Sequence, residues 1–150
     1  MLFRSVAELV IKLSQNWAIK PEIMTDAARK RGAFAAADMA IAASGTVSLE
    51  LAANGCPMVI AYDMNRLTLA LMRRMALIDT VTLVNIVSGT RAVPEFIGPR
   101  CHPDLIADAV FEVLNHPQAQ KAAMNETMQL LGRGGTPPHL VAAQSVLSAL

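Results

Sequence analysis

Cysteine is scarce in this chain of 150 residues. Cys56 and Cys101 lack the Cys-x-x-Cys spacing of metal or redox motifs, and so sparse a pair predicts reduced thiols in a cytosolic protein, acting as small apolar fillers. No charge of one sign predominates either. Thirteen Lys and Arg against twelve Asp and Glu leave a formal net charge of +1, without the clustered basic excess that nucleic acid binding needs, so no nucleic acid partner is expected. Charges, glycines or prolines interrupt every apolar run before the roughly 18 residues a transmembrane helix requires. Residues 1–14 contain Arg4, Glu8 and Lys12, so they lack the continuous apolar stretch and small-residue cleavage site of a secretory signal. His102, His116 and His139 each stand beside a proline with no second ligand at metal-binding spacing, so no metal site is expected. Internal repeats and low-complexity tracts are also missing.

What is present is apolar and periodic. Hydrophobic residues make up 53% of the chain, charged residues 17%, and the mean hydropathy is +0.39, which suits a folded domain of ordinary size. Leu2, Val6, Leu9, Val10 and Leu13 recur at helical spacing, predicting an amphipathic helix over residues 2–15. Glu22–Met24 reads as a short strand, followed by a helix that Thr25 or Asp26 caps and that runs toward Ala36. Met39–Ala43 reads as a buried parallel strand. A helix from Thr46 stops at Asn54-Gly55, and Met58–Tyr62 is the next strand. Asn65–Ala76 is expected to be helical, Val81–Val84 strand-like and Asn85–Arg91 a polar loop. Pro103 suits the first turn of a helix that His116-Pro117 ends. Further helices are expected over Gln118–Leu131 and Leu140–Leu150, separated by the Gly/Pro-rich turn Gly132–Pro138. Strands alternating with helices predict an α/β fold with a Rossmann-like parallel sheet flanked by helices. Ligands then bind beyond the carboxyl ends of the strands, which points to the turns after Ala43, Tyr62 and Val84.

The segment Ala43-Ser44-Gly45-Thr46-Val47-Ser48-Leu49-Glu50 has the chemistry such a site needs. A helix N-terminus leaves backbone N–H groups unpaired and carries partial positive charge, so an anionic group fits there. Gly45 lets a ligand approach the backbone closely, while the Ser44 and Thr46 hydroxyls either donate to phosphate oxygens or cap the helix. Glu50, four residues beyond Thr46, lies on the same helix face, where a carboxylate accepts hydrogen bonds from neighbouring ribose hydroxyls. A Ser/Thr cap followed by Glu is also common in helices that bind nothing, and the octapeptide alone leaves both readings open.

The run from Ala42 to Glu50, followed by Gly55-Cys56-Pro57-Met58-Val59-Ile60-Ala61-Tyr62, resembles the donor-site segment of GT-B glycosyltransferases. It is most similar to the lipid A disaccharide synthase family, with the MurG-type transferases sharing the Glu to Gly-x-Pro spacing. Val81-Thr82-Leu83-Val84-Asn85-Ile86, with Val93-Pro94-Glu95-Phe96-Ile97, is similar to a signature of that family alone. Together the matches run from about Phe34 to Val113. The resemblance implies that the chain forms a UDP-sugar-binding C-terminal GT-B domain, incomplete at its N-terminus, with extra C-terminal helices. It assigns Ser44, Gly45 and Thr46 to phosphate, Glu50 to ribose and Asn85 to polar groups of the donor. Asn85 read without the resemblance is a turn residue ending a strand, and Glu95 is either a donor contact or a first-turn helix carboxylate.

The implied reaction is hexosyl transfer from UDP-2,3-diacylglucosamine to lipid X, with no cofactor. Gly98 stands where the family usually has glutamine. The acceptor domain, its acid/base residue and a Gly-Ser-Arg phosphate loop are expected to lie outside this sequence, so no catalytic residue is assigned within it and the isolated chain is expected to be inactive. A UDP-binding module completed by an acceptor-domain chain is the alternative, as is another UDP-sugar enzyme of the MurG type. Arg66, Arg73 and Arg74, set among leucines and methionines, mark either a helix resting on an anionic membrane or a core or subunit-interface helix. Gly132-Arg133-Gly134-Gly135 reads as a hinge where subunits of a homodimer could exchange segments. The expected location is cytoplasmic, peripheral on the inner membrane.

Overall fold

A computed structural model of the chain describes residues 2–43, 45–65, 68, 74, 79–136 and 138–148. It divides into two compact units, residues 1–36 and 37–150. The first holds two helices, α1 (Leu2–Leu13) and α2 (Ala27–Ala36). The apolar stripe of α1 follows the spacing of its sequence, and Lys12 lies in the last turn, where a cation complements the helix dipole. Asp26 Oδ1 accepts from the Ala28 N–H at 2.9 Å, capping α2 as its sequence predicts. The strand expected over Glu22–Met24 does not form. Residues 20–26 are irregular, and no strand is described in this unit to pair with them. The Glu22 carboxylate instead meets Arg29 at 2.6 Å.

The second unit carries a parallel three-stranded sheet in the order β1 (Ala40–Ala42), β2 (Met58–Tyr62), β3 (Glu95–Ile97). Ala40 pairs with Met58 and Ala42 with Ile60, while Ile60 pairs with Glu95 and Tyr62 with Ile97. Val59 joins Phe96 of β3 and Val113 of the helix Pro103–Asn115 in one apolar cluster, with Met39, Ile106, Ala109 and Val110 against it. Met58 and Ile60 point the opposite way and are fully buried too, so β2 is covered on both faces, as a central parallel strand must be.

The helices of this unit, numbered on from α2, are α3 (Val47–Ala53), α4 (Leu83–Ser88), α5 (Pro103–Asn115), α6 (Gln118–Leu130) and α7 (Pro138–Leu147). Pro103 opens α5 in the position its missing N–H favours. Helix α6 packs against α3 and α4. Its buried Gln120 clasps the start of β2, accepting from the Met58 N–H at 2.5 Å and donating to the Met58 carbonyl at 3.0 Å.

Two sequence expectations are corrected here. Val81–Val84 is not a strand, because its second half opens α4, and α4 then occupies much of the expected loop Asn85–Arg91. The third strand is Glu95–Ile97, so the third turn on the carboxyl rim of the sheet follows Ile97, not Val84. The helix expected over Asn65–Ala76 falls outside the described residues, apart from Thr68 and Arg74, which are helical, and Asn65, which is not. Among the described residues no helix is long and apolar enough to cross a membrane.

Candidate functional site

The first candidate group sits on one strand, turn and helix unit. Past the end of β1, Gly45 takes φ +123°, a backbone conformation that side-chain-bearing residues rarely adopt, and nothing stands within 4 Å of where its Cβ would be. Thr46 is the N-cap of α3, yet its hydroxyl makes no capping bond and the residue is exposed. The internal work of the turn falls to Ser48, which is fully buried and donates from Oγ to the Gly45 carbonyl at 2.9 Å. Ser44 lies outside the described residues. Glu50 is half-buried one turn into α3, and it lines a cavity of about 390 Å³ together with Leu49, Ala53, Met128, Leu131 and Arg133.

The second group surrounds Asn85 and Glu95. Asn85 is 0% exposed, so its amide must find partners inside the protein. It finds them in the main chain of Val93: Nδ2 donates to the Val93 carbonyl and Oδ1 accepts from the Val93 N–H, both at 2.9 Å. The side chain thus completes both backbone bonds of a residue that enters β3, and Nδ2 also reaches Thr80 Oγ1 at 3.3 Å.

Glu95 opens β3 and is not in a helix, but its carboxylate serves the N-terminus of one. Oε1 accepts from Thr80 Oγ1 at 2.6 Å, from the Thr82 N–H at 2.7 Å and from the Val81 N–H at 3.1 Å. Thr82 is the N-cap of α4 and makes no side-chain cap of its own, so Glu95 supplies the negative charge that a helix N-terminus favours. Asn85 and Glu95 also line a groove of about 450 Å³ along β3, with Arg91, Phe96 and Arg100. Arg91 pairs with Asp79, and the Arg100 guanidinium lies 5.7 Å from the centre of the Phe96 ring.

The fold therefore brings Gly45, Thr46 and Glu50 together, and separately Asn85 and Glu95. Packing of α3 on α4 joins the two groups. Gly98, at φ +57°, is buried directly after β3. That left-handed backbone favours glycine, so a glutamine side chain here would carry strain. Sequence reading passed over Thr80, and it placed Arg133 only in a hinge, not near Glu50. The glycines flanking Arg133 were the available signal. Among the described residues no three His, Cys, Asp or Glu side chains gather as metal ligands would. Cys56 is buried beside the start of β2; burial pushes its thiol pKa up, and the negative charge of Asp38 adds to the effect.

A parallel sheet flanked by helices, with a glycine turn leading from strand to helix at its carboxyl rim, is the arrangement of the C-terminal half of a GT-B glycosyltransferase. The family model described as lipid-A-disaccharide synthetase matches residues 2–140, and the chain belongs to that family. A lipid-A-disaccharide synthase of Ruegeria pomeroyi is 64% identical over 124 residues, which cover 83% of this chain and 31% of that protein. Its namesake in Rhodospirillum centenum is 40% identical over 148 residues, covering 97% and 37%. A third, from Bradyrhizobium diazoefficiens, is 36% identical over 138 residues, covering 90% and 35%. The chain spans about a third of the length of these curated relatives.

Proposed function

We propose that this chain forms the UDP-sugar-binding part of a lipid A disaccharide synthase, which transfers a hexosyl unit from UDP-2,3-diacylglucosamine to lipid X. Ser44, Gly45 and Thr46 hold the diphosphate, and Glu50 accepts from the ribose hydroxyls. When UDP leaves, charge develops on its terminal phosphate, and N–H groups already aimed there stabilise it without rearranging. Asn85 and Glu95 act on the donor through the main chain they hold, fixing α4 and the entry to β3. An acceptor-binding domain supplies the rest of the cleft, whether in the same polypeptide or in a separate chain, and contact with the inner membrane brings the acylated substrates within reach.

The observation that carries this reading is the positive-φ Gly45 turn past the end of β1, which leads into α3 with the exposed Thr46 at its start and Glu50 one turn further in. Calorimetric titration of the chain with UDP tests the reading. Weak binding is expected, and Glu50→Ala should reduce it by about tenfold, the value of one hydrogen bond to a charged acceptor. A well-folded wild-type chain that binds no UDP would overturn the assignment.

A further inference from the structure

The turn after α6 has a defined geometry that its sequence alone does not announce. Leu131 ends the helix and Gly132 follows at φ +86°. The Gly132 N–H donates to the Gln129 carbonyl at 2.9 Å and the Arg133 N–H to the Met128 carbonyl at 2.8 Å. These crossed bonds are a Schellman closure, which sets the residue after the glycine in one place. From there the Arg133 guanidinium donates to the carbonyl of Ala53, the last residue of α3. A cation suits that end of a helix, and the bond ties α3 to the end of α6. In the corner between them lies the cavity on which Arg133 and Glu50 are the charged groups.

Helix α3 has seven residues, fewer than two turns. A helix so short has little stability of its own and takes its direction from the packing of Ser48, Leu51 and Ala52 and from what holds its ends. We propose that Arg133 is a positioning residue for Glu50. By gripping the Ala53 carbonyl and setting a positive charge on the shared cavity, it fixes the axis of α3 and the direction of the Glu50 carboxylate toward the ribose hydroxyls. The inference rests on the donor-site reading above. It adds a residue that lies outside the segments whose motifs resemble the donor site.

Calorimetric titration with UDP is the test, applied to the wild type, Arg133→Ala, Arg133→Lys, Glu50→Gln and the double variant Glu50→Gln/Arg133→Ala. Arg133→Ala is expected to weaken UDP binding by about fivefold, while Arg133→Lys, which keeps a cationic donor for Ala53, stays within about twofold of wild type. In the Glu50→Gln background the same alanine change should cost little further, because the two residues act as one unit. Unchanged affinity in Arg133→Ala overturns the proposal, and so does an equal loss in both backgrounds, the mark of a role confined to stability. If Arg133→Ala does not fold, Arg133→Gln retains a donor without the charge, and wild-type affinity in that variant is likewise contrary to the proposal. A folded wild type that fails to bind UDP removes the donor-site reading itself, whereas wild-type binding with indifferent Arg133 variants removes only this inference.

Discussion

Glu95 offers the sharpest test of whether the second residue group serves the fold or touches the ligand. One carboxylate oxygen accepts three hydrogen bonds of 2.6, 2.7 and 3.1 Å, from the Thr80 hydroxyl and from the N–H groups of Thr82 and Val81. Each bond to a charged acceptor contributes about 1.5–3 kcal/mol net, but three bonds to one half-buried oxygen do not add in full. Glu95→Ala is therefore expected to destabilise the domain by about 3–4 kcal/mol, because it removes the acceptor that the Thr82 N–H, the Val81 N–H and the buried Thr80 hydroxyl share. Glu95→Gln keeps an accepting oxygen and loses the charge, so about 1–2 kcal/mol is expected. For a domain of this size those values lower the thermal midpoint by about 10 °C and about 5 °C respectively. Thermal unfolding followed by circular dichroism provides the measurement. An alanine variant melting within about 2 °C of wild type would show that the clamp contributes nothing, and equal losses in the two variants would show that charge and geometry were wrongly separated.

Three further outcomes are expected. Asn85→Ala strands both main-chain groups of Val93 and should cost about 2–4 kcal/mol by urea unfolding. Asn85→Asp should cost more, since a carboxylate cannot donate to the Val93 carbonyl and would stand near that of Glu95, which now lies 3.5 Å from Nδ2; an aspartate variant as stable as wild type would refute this network. The Thr82 hydroxyl is buried with no hydrogen-bond partner among the described residues, so Thr82→Val should be neutral or stabilise by about 1 kcal/mol, and a loss would mean the hydroxyl has a partner after all. Burial first and Asp38 second raise the Cys56 thiol above its ordinary value near 9, so the folded state holds that proton more tightly than the unfolded chain. The resulting stability is complete below about pH 9 and is lost as pH rises through the folded-state pKa. Between about pH 8 and about pH 10 the wild type should therefore lose more stability than Cys56→Ala, and parallel pH profiles would dismiss the effect.

The elements legible in the sequence were those specified locally. Met58–Tyr62 is a continuous apolar run between Pro57 and Asp63, and it forms β2 with those bounds. Asn54-Gly55 ends α3 because glycine accepts φ +68°, and Pro103 opens α5. Val81–Val84 misled because its β-branched residues favour a strand, while the forces that end the extended stretch and start α4 come from elsewhere. Glu95 caps that helix from thirteen residues away, and Asn85 ties it to Val93. No local pattern records such contacts. β3, three residues long and preceded by Pro94, is too short for periodicity to declare it. The glycine turn and Glu50 stood out in the candidate site because strand, turn and cap occur in one octapeptide. The glycines around Arg133 marked a turn, but not its bond to Ala53, which lies eighty residues earlier.

The two residue groups differ in where their polar atoms are committed, and that difference governs how variants should be read. Thr46 is exposed and its side chain makes no cap bond, so removing its hydroxyl takes away little of the fold. Asn85 is fully buried and bonded to the main chain, so removing it displaces α4 and the start of β3 before any ligand arrives. A loss of UDP affinity in an Asn85 variant is thus evidence of contact only at a temperature where that variant is as fully folded as the wild type. The same loss in a Thr46 variant needs no such correction. Between these limits stands Glu50, half-buried on a helix of under two turns, where a change in affinity measures both the carboxylate and the grip on the helix that carries it.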